Sequence, residues 1–161
     1  MRSLVNLALA SLVLLSFPAA AQAMTDTRTV AQSIAHQTID LQDRDHDGRI
    51  SLKESAGAAL ILFGAIDTDR SQLISAHELL SVAMNDVAAL KISNSADQTR
   101  SLVQARFQTM DIDGDNEISL PEMLAVTEMV FEAADRNADG FVSEDELSAL
   151  AVADNSPDEA R

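Results

Sequence analysis

The chain has no cysteine, tryptophan or tyrosine, only three prolines and five glycines, and 11 basic side chains against 26 acidic ones in 161 residues. Without cysteine there are no disulfides, thiolate metal sites or thiol nucleophiles, so any metal must be held by oxygen or by the three histidines. Without tryptophan and tyrosine the usual stacking platforms for sugars and bases are missing. The formal net charge of -15 argues against nucleic acid and anionic membrane surfaces as partners, because both would add to the protein's self-repulsion. Cations are the natural counterpart. What the chain does have is apolar material: a hydrophobic fraction of 47% is too high for a disordered chain, and a packed core is expected.

The first 23 residues read as a secretory signal peptide. Arg2 precedes an apolar run from Leu4 to Phe17, followed by Pro18 and an A-x-A cleavage pattern at Ala21, Gln22 and Ala23. The run is too short to span a bilayer and is interrupted by Ser11 and Ser16, with an uncleaved anchor as the alternative. Removing residues 1–23 leaves 138 residues and a formal charge of -16. Residues 24–152 form the expected folded domain. Residues 153–161, with Pro157 and little apolar content, read as a disordered acidic tail.

Within residues 24–152 one twelve-residue pattern recurs four times: DRDHDGRISLKE (Asp43 to Glu54), DTDRSQLISAHE (Asp67 to Glu78), DIDGDNEISLPE (Asp111 to Glu122) and DRNADGFVSEDE (Asp135 to Glu146). Each segment has oxygen-bearing side chains at positions one, three and five, an aliphatic residue at eight, Ser at nine and Glu at twelve. Seventeen of the 26 acidic residues fall inside the four segments. On these residues the chain resembles the EF-hand calcium-binding family, calmodulin-like and of a bacterial exported type. The pattern has a physical reason: calcium takes roughly 6 to 8 oxygens at about 2.3–2.6 Å, so a short loop must curl several carboxylates around one point.

The resemblance implies an all-α fold, an array of helix-loop-helix hands, with Ca2+ as the cofactor. The implied metal ligands of loop one are Asp43, Asp45, Asp47, the Arg49 carbonyl, Ser51 directly or through water, and bidentate Glu54. Loop two would use Asp67, Asp69, Ser71, the Leu73 carbonyl, Ser75 and Glu78. Loop three would use Asp111, Asp113, Asp115, the Glu117 carbonyl, Ser119 and Glu122. Loop four would use Asp135, Asn137, Asp139, the Phe141 carbonyl, Ser143 and Glu146. Charges at positions one, three, five and twelve sum to -4, -3, -4 and -3 for loops one to four. Position six turns sharply with positive φ, which Gly48 and Gly140 adopt freely and Asn116 tolerates, whereas Gln72 faces a cost of roughly 1 kcal/mol. Loop two is therefore expected to bind most weakly, with an empty EF-hand-shaped loop as the alternative.

Helical patterns flank every loop. Val30, Ile34, Thr38 and Leu41 share one face, as do Leu79 or Leu80, Ala83, Val87 and Leu90, and then Val103, Phe107 and Met110. Phe63, Phe107 and Phe131 stand four residues before a loop's first Asp, with Ile39 in that place before loop one. Twelve residues separate Glu54 from Asp67 and Glu122 from Asp135, room for one helix each. Leu52 to Ile66 and Leu120 to Ala134 must then be shared helices, each about 22 Å long at 1.5 Å per residue. Loops at opposite ends of one helix cannot pair. A break at Ile92 to Ser95, with Ser95 and Gln98 as a capping box, returns loop three to loop two. The expected pairs are therefore two with three, through Ile74 and Ile118, and one with four, through Ile50 and Val142. The alternative is sequential pairing, with the first shared helix broken near Gly57 or Gly64. Ala58 to Phe63, apolar all round, is expected to be covered on more than one side.

His36, His46 and His77 are dispersed and read as solvent-facing. With no G-x-S-x-G elbow and no Gly-rich phosphate loop, an enzyme is not expected. Met84, Met110, Met123 and Met129 invite comparison with calmodulin's adaptable groove, but at helical spacing they read as core filler. Two functional classes remain. The first is an exported calcium-binding protein, periplasmic or secreted, taking about three to four Ca2+ as buffer or for structural stabilisation. The alternative is a calcium-dependent sensor or adaptor that exposes an apolar surface to an unidentified protein partner. No nucleic acid is expected as partner, and no membrane after signal cleavage.

Overall fold

The computed structural model describes residues 27–90 and 96–153. The segment read as a signal peptide, the break at Ile92 to Ser95 and residues 154–161 of the tail lie outside these residues, while Ala153, read as the first residue of that tail, is the last residue of a helix. The described chain is helical with four three-residue strands. The order is α1 (Thr27–Gln42), β1 (Arg49–Ser51), α2 (Leu52–Ile66), β2 (Leu73–Ser75), α3 (Ala76–Leu90), α4 (Ala96–Met110), β3 (Glu117–Ser119), α5 (Leu120–Ala134), β4 (Phe141–Ser143) and α6 (Glu144–Ala153).

Helices α2 and α5 are the two shared helices, with the bounds that loop spacing predicts. Each begins at a capping box in which Ser51 or Ser119 accepts from the backbone of the glutamate three residues on, while that glutamate reaches back to the cap backbone. Pro121 sits in the first turn of α5, where its missing N–H leaves no partner short. Helix α2 runs unbroken through Gly57 and Gly64. At each entry to a loop, the first aspartate's N–H is still held by the helix: Asp43, Asp67, Asp111 and Asp135 donate to the carbonyls of Ile39, Phe63, Phe107 and Phe131 at 2.8–2.9 Å.

Strand pairing follows the expected scheme. β1 pairs antiparallel with β4, placing Ile50 opposite Val142, and β2 pairs with β3, placing Ile74 opposite Ile118. The second half of the chain repeats the first at an offset of 68 residues, Asp43 to Asp111 and Asp67 to Asp135. Each loop pair therefore takes one loop from each half.

Two apolar clusters lie behind the two loop pairs. Behind loops two and three, Leu62, Phe63 and Ile66 of α2 meet Leu79, Val103, Phe107, Met110 and Met123 together with Ile74 and Ile118. Behind loops one and four, Ile39, Ile50, Phe131, Ala134 and Val142 form the smaller cluster. Fully burying one such aliphatic or aromatic side chain contributes about 1.5–3 kcal/mol, so the strand isoleucines are fold-determining despite their short ladders. Thr38, Leu79, Ala83, Val103, Phe107 and Met110 take the inward positions their spacing predicts; the side chains of Val30, Ile34, Val87 and Leu90 lie outside the description.

Two expectations are corrected. Ala58 to Phe63 is not covered all round: Leu60 and Ile61 are 55% and 53% exposed, because α2 packs on its inner side and nothing covers its outer one among the described residues. Met129, on the outer side of α5, is 65% exposed and is not core filler, whereas Met110 and Met123 are buried. All three histidines are solvent-facing as expected.

Candidate metal centres

Each loop leaves a helix whose last hydrogen bond fixes its first aspartate, and closes on a helix whose third residue is its glutamate. Between them the backbone folds inward because carboxylates accept its N–H groups. In loop one, Asp43 Oδ1 accepts from His46 N at 2.6 Å and from Asp47 N at 3.2 Å, and Oδ2 accepts from Gly48 N at 2.8 Å. Asp111 and Asp135 do the same for Gly114 and Asn116, and for Asp139 and Gly140. Asp67 holds Ser71 and Gln72. Position three takes the position-five N–H through Asp45, Asp69, Asp113 or Asn137.

The position-six residues all lie in the left-handed region: Gly48 at φ 84°, Gln72 at 70°, Asn116 at 67° and Gly140 at 85°. Gln72 thus accepts the strained conformation. Position four does so too, at His46, Arg70, Gly114 and Ala138, with φ between 56° and 76°. Sequence reasoning missed this second turn; Gly114 alone among the four residue types signals it.

The glutamates at position twelve close the loops. Glu54 Oε1 accepts from Arg44 N at 2.8 Å, and Oε2 from Ser51 N and Ser51 Oγ, both at 2.8 Å. Glu78, Glu122 and Glu146 repeat this with Thr68 and Ser75, with Ile112 and Ser119, and with Arg136 and Ser143. The backbone N–H of the position-nine serine is the main reason these carboxyls are strongly acidic. Against partial burial, which opposes it, the carboxyls of Glu54, Glu78 and Glu122 are lowered from 4.5 to about 2, and Glu146 is lowered as well. The four serines, Ser51, Ser75, Ser119 and Ser143, are committed through their hydroxyls to these glutamates. Ser-x-x-Glu at positions nine to twelve was legible as a capping box, a role not read from the sequence.

In three loops the carboxylates converge. Asp43, Asp45 and Glu54, then Asp67, Asp69 and Glu78, then Asp111, Asp113 and Glu122 each offer one oxygen within 4.8 Å of the others. Loop four has Asn137 at position three, and its acids Asp135, Asp139 and Glu146 do not form such a triad. The position-five groups turn outward to the chain that follows: Asp47, Asp115 and Asp139 accept from the N–H of Arg49, Glu117 and Phe141 at 2.8–3.0 Å. In loop two Ser71 Oγ accepts from the Leu73 N–H at 3.4 Å and also donates its hydroxyl to the Leu73 carbonyl at 3.0 Å. Position seven in every loop opens a strand, so the carbonyl-bearing residues Arg49, Leu73, Glu117 and Phe141 are anchored across the two ladders.

These donors are all oxygen, carry three carboxylates in close array and sit on backbone turned by their own side chains. Such a set fits a hard divalent cation with several oxygen ligands, typically calcium, and offers nothing to a soft metal. Comparison with known families agrees with the geometry: residues 36–54, 102–127 and 128–151 match the EF hand model. These regions contain loops one, three and four. No curated protein matches the chain.

Proposed function

We propose, for a chain that belongs to the EF-hand calcium-binding family, that it is an exported protein holding about three to four Ca2+ as a buffer or as the ions that stabilise its own fold. The observation that carries this reading is the convergence of three carboxylates within 4.8 Å in each of three loops, on a chain of formal charge -15. Like charges so close repel, and a bound cation relieves the repulsion while tying two helices to one point. Binding free energy then becomes folding free energy. When bound, calcium supplies charge neutralisation; the residues supply the cage. Asp43, Asp45 and Glu54 hold the first ion, and the corresponding side chains of the other loops hold theirs.

Export rests on the pattern over residues 1–23, and a periplasmic or secreted location follows from it. No catalytic role is assigned. Extracellular modules of this kind bind at about 10⁻⁴–10⁻³ M, so tight sites outside a cell stay filled and do not signal. A second reading, a sensor with a protein partner, is favoured by one observation, the exposure of Leu60, Ile61 and Met129 on the shared helices. Calcium titration by calorimetry on the protein from Met24 onward tests the first reading: three strong sites are expected, and no bound calcium would overturn it. ANS fluorescence with and without calcium separates the two, since a sensor must change its exposed apolar surface.

A further inference from the structure

The pair formed by loops one and four carries a cation at position seven, where the other pair has Leu73 and Glu117. Arg49, at position seven of loop one, places its guanidinium 3.8 Å from the centre of the Phe141 ring, on the opposing strand β4. Its Nη2 also donates to Asp47 Oδ2 at 3.1 Å. Asp47 is the position-five carboxylate of loop one, and its Oδ1 accepts from the backbone N–H of Arg49 at 2.9 Å. One residue therefore engages both oxygens, one through its main chain and one through its charge. The backbone half of this arrangement recurs in loops three and four. The charged half does not, because position seven is Leu73, Glu117 and Phe141 in the other loops.

We propose that Arg49 is a positioning residue that competes with the bound cation for Asp47, and so sets loop one's calcium affinity below that of loop three, whose formal ligand charge is the same. The inference rests on reading loop one as a calcium site. The negative face of the Phe141 ring holds the guanidinium beside Asp47, so a residue of loop four tunes the site of loop one. Removing the guanidinium leaves Asp47 oriented, since the backbone N–H that holds Oδ1 survives any substitution. What disappears is the competitor, together with a positive charge beside a divalent ion.

The test is a calcium titration of the protein followed by NMR at the amides of Gly48 for loop one, Gly114 for loop three and Gly140 for loop four, in wild type, Arg49→Met, Arg49→Gln and Arg49→Lys. Methionine keeps an unbranched stem against Phe141. Arg49→Met and Arg49→Gln should each raise loop-one affinity roughly threefold to tenfold, less at high salt, as befits one screened unit charge near a divalent ion. Loop three should not move, and Arg49→Lys, which retains the charge, should stay near wild type. In an Asp47→Asn background the effect of Arg49→Met should shrink to less than about twofold. Unchanged or weaker binding at Gly48 in both uncharged variants overturns the inference, as does an undiminished rise in the Asp47→Asn background. A Gly48 amide that ignores calcium in every protein, wild type included, overturns the calcium reading of loop one instead.

Discussion

Loop two brings Asp67, Asp69 and Glu78 within 4.8 Å of one another, yet puts Gln72 in the left-handed region at φ 70° and has Ser71 where the others have aspartate. Loop four has Gly140 at that turn, but Asn137 stands where the others have a carboxylate, and its acids do not form a triad. Each has a ligand charge of -3. The two loops fall short of loops one and three by different routes: one in backbone strain, the other in charge placement. A loop can therefore keep the shape of a site while lacking an optimal turn, or keep the turn while lacking a full set of charges.

The largest expected effect concerns all four loops. One site saturated at a hundred times its Kd contributes about 2.7 kcal/mol, and each kcal/mol is worth roughly 2–8 °C in a domain of this size range. Chelation should thus lower the melting temperature by well over about 10 °C, with loss of helicity; an unchanged melt removes the contrast between loops by removing the ions. Next, Glu122→Gln should abolish the loop-three site, a loss of at least about 100-fold, because it deletes a carboxylate preset by Ser119 and Ile112; calorimetry should show one site fewer. Asn137→Asp should raise loop-four affinity by about tenfold through one added charge in the cage, and no gain would show that charge is not what limits that loop. Gln72→Gly should raise loop-two affinity by about fivefold, the equivalent of roughly 1 kcal/mol of relieved strain; an equal gain from Gln72→Ala would refute backbone strain as the cause.

The smallest effect is on pH. Glu54, Glu78 and Glu122 titrate at about 2 in the folded protein against 4.5 ordinarily. A lowered folded pKa stabilises the fold above the unfolded value, and that stabilisation is lost as pH falls through the folded one. With chelator present, the melting temperature should decline from about pH 4.5 toward 2. Ser119→Ala, which removes one hydroxyl donor from Glu122, should flatten the decline slightly. A steeper loss in that variant would count against the serine as the source.

Much of this is legible in the amino-acid order. The interval between Glu54 and Asp67 left space for one helix, and a helix that separates two loops by its own length forbids them to meet. The pairing of Ile50 with Val142 and Ile74 with Ile118 followed from that. Less legible were features that depend on what stands opposite a side chain. Leu60, Ile61 and Met129 look like core by residue type, and only the packing of the shared helices shows that their outer faces are bare. The serines at position nine look like oxygen ligands, although the local Ser-x-x-Glu spacing already signals the capping box that takes their hydroxyls.

By itself, the amino-acid order settled the loops, their spacing and the partner each must find, because helical rise and chain connectivity are local quantities that counting can resolve. Tertiary structure alone decided how closely the acids of loops two and four approach, and that Arg49 reaches both Asp47 and Phe141. The acids converge only once each loop is closed between its two helices, and Arg49 meets Phe141 across strands 92 residues apart in the chain, where side-chain reach and ladder register, absent from any local pattern, fix the distance.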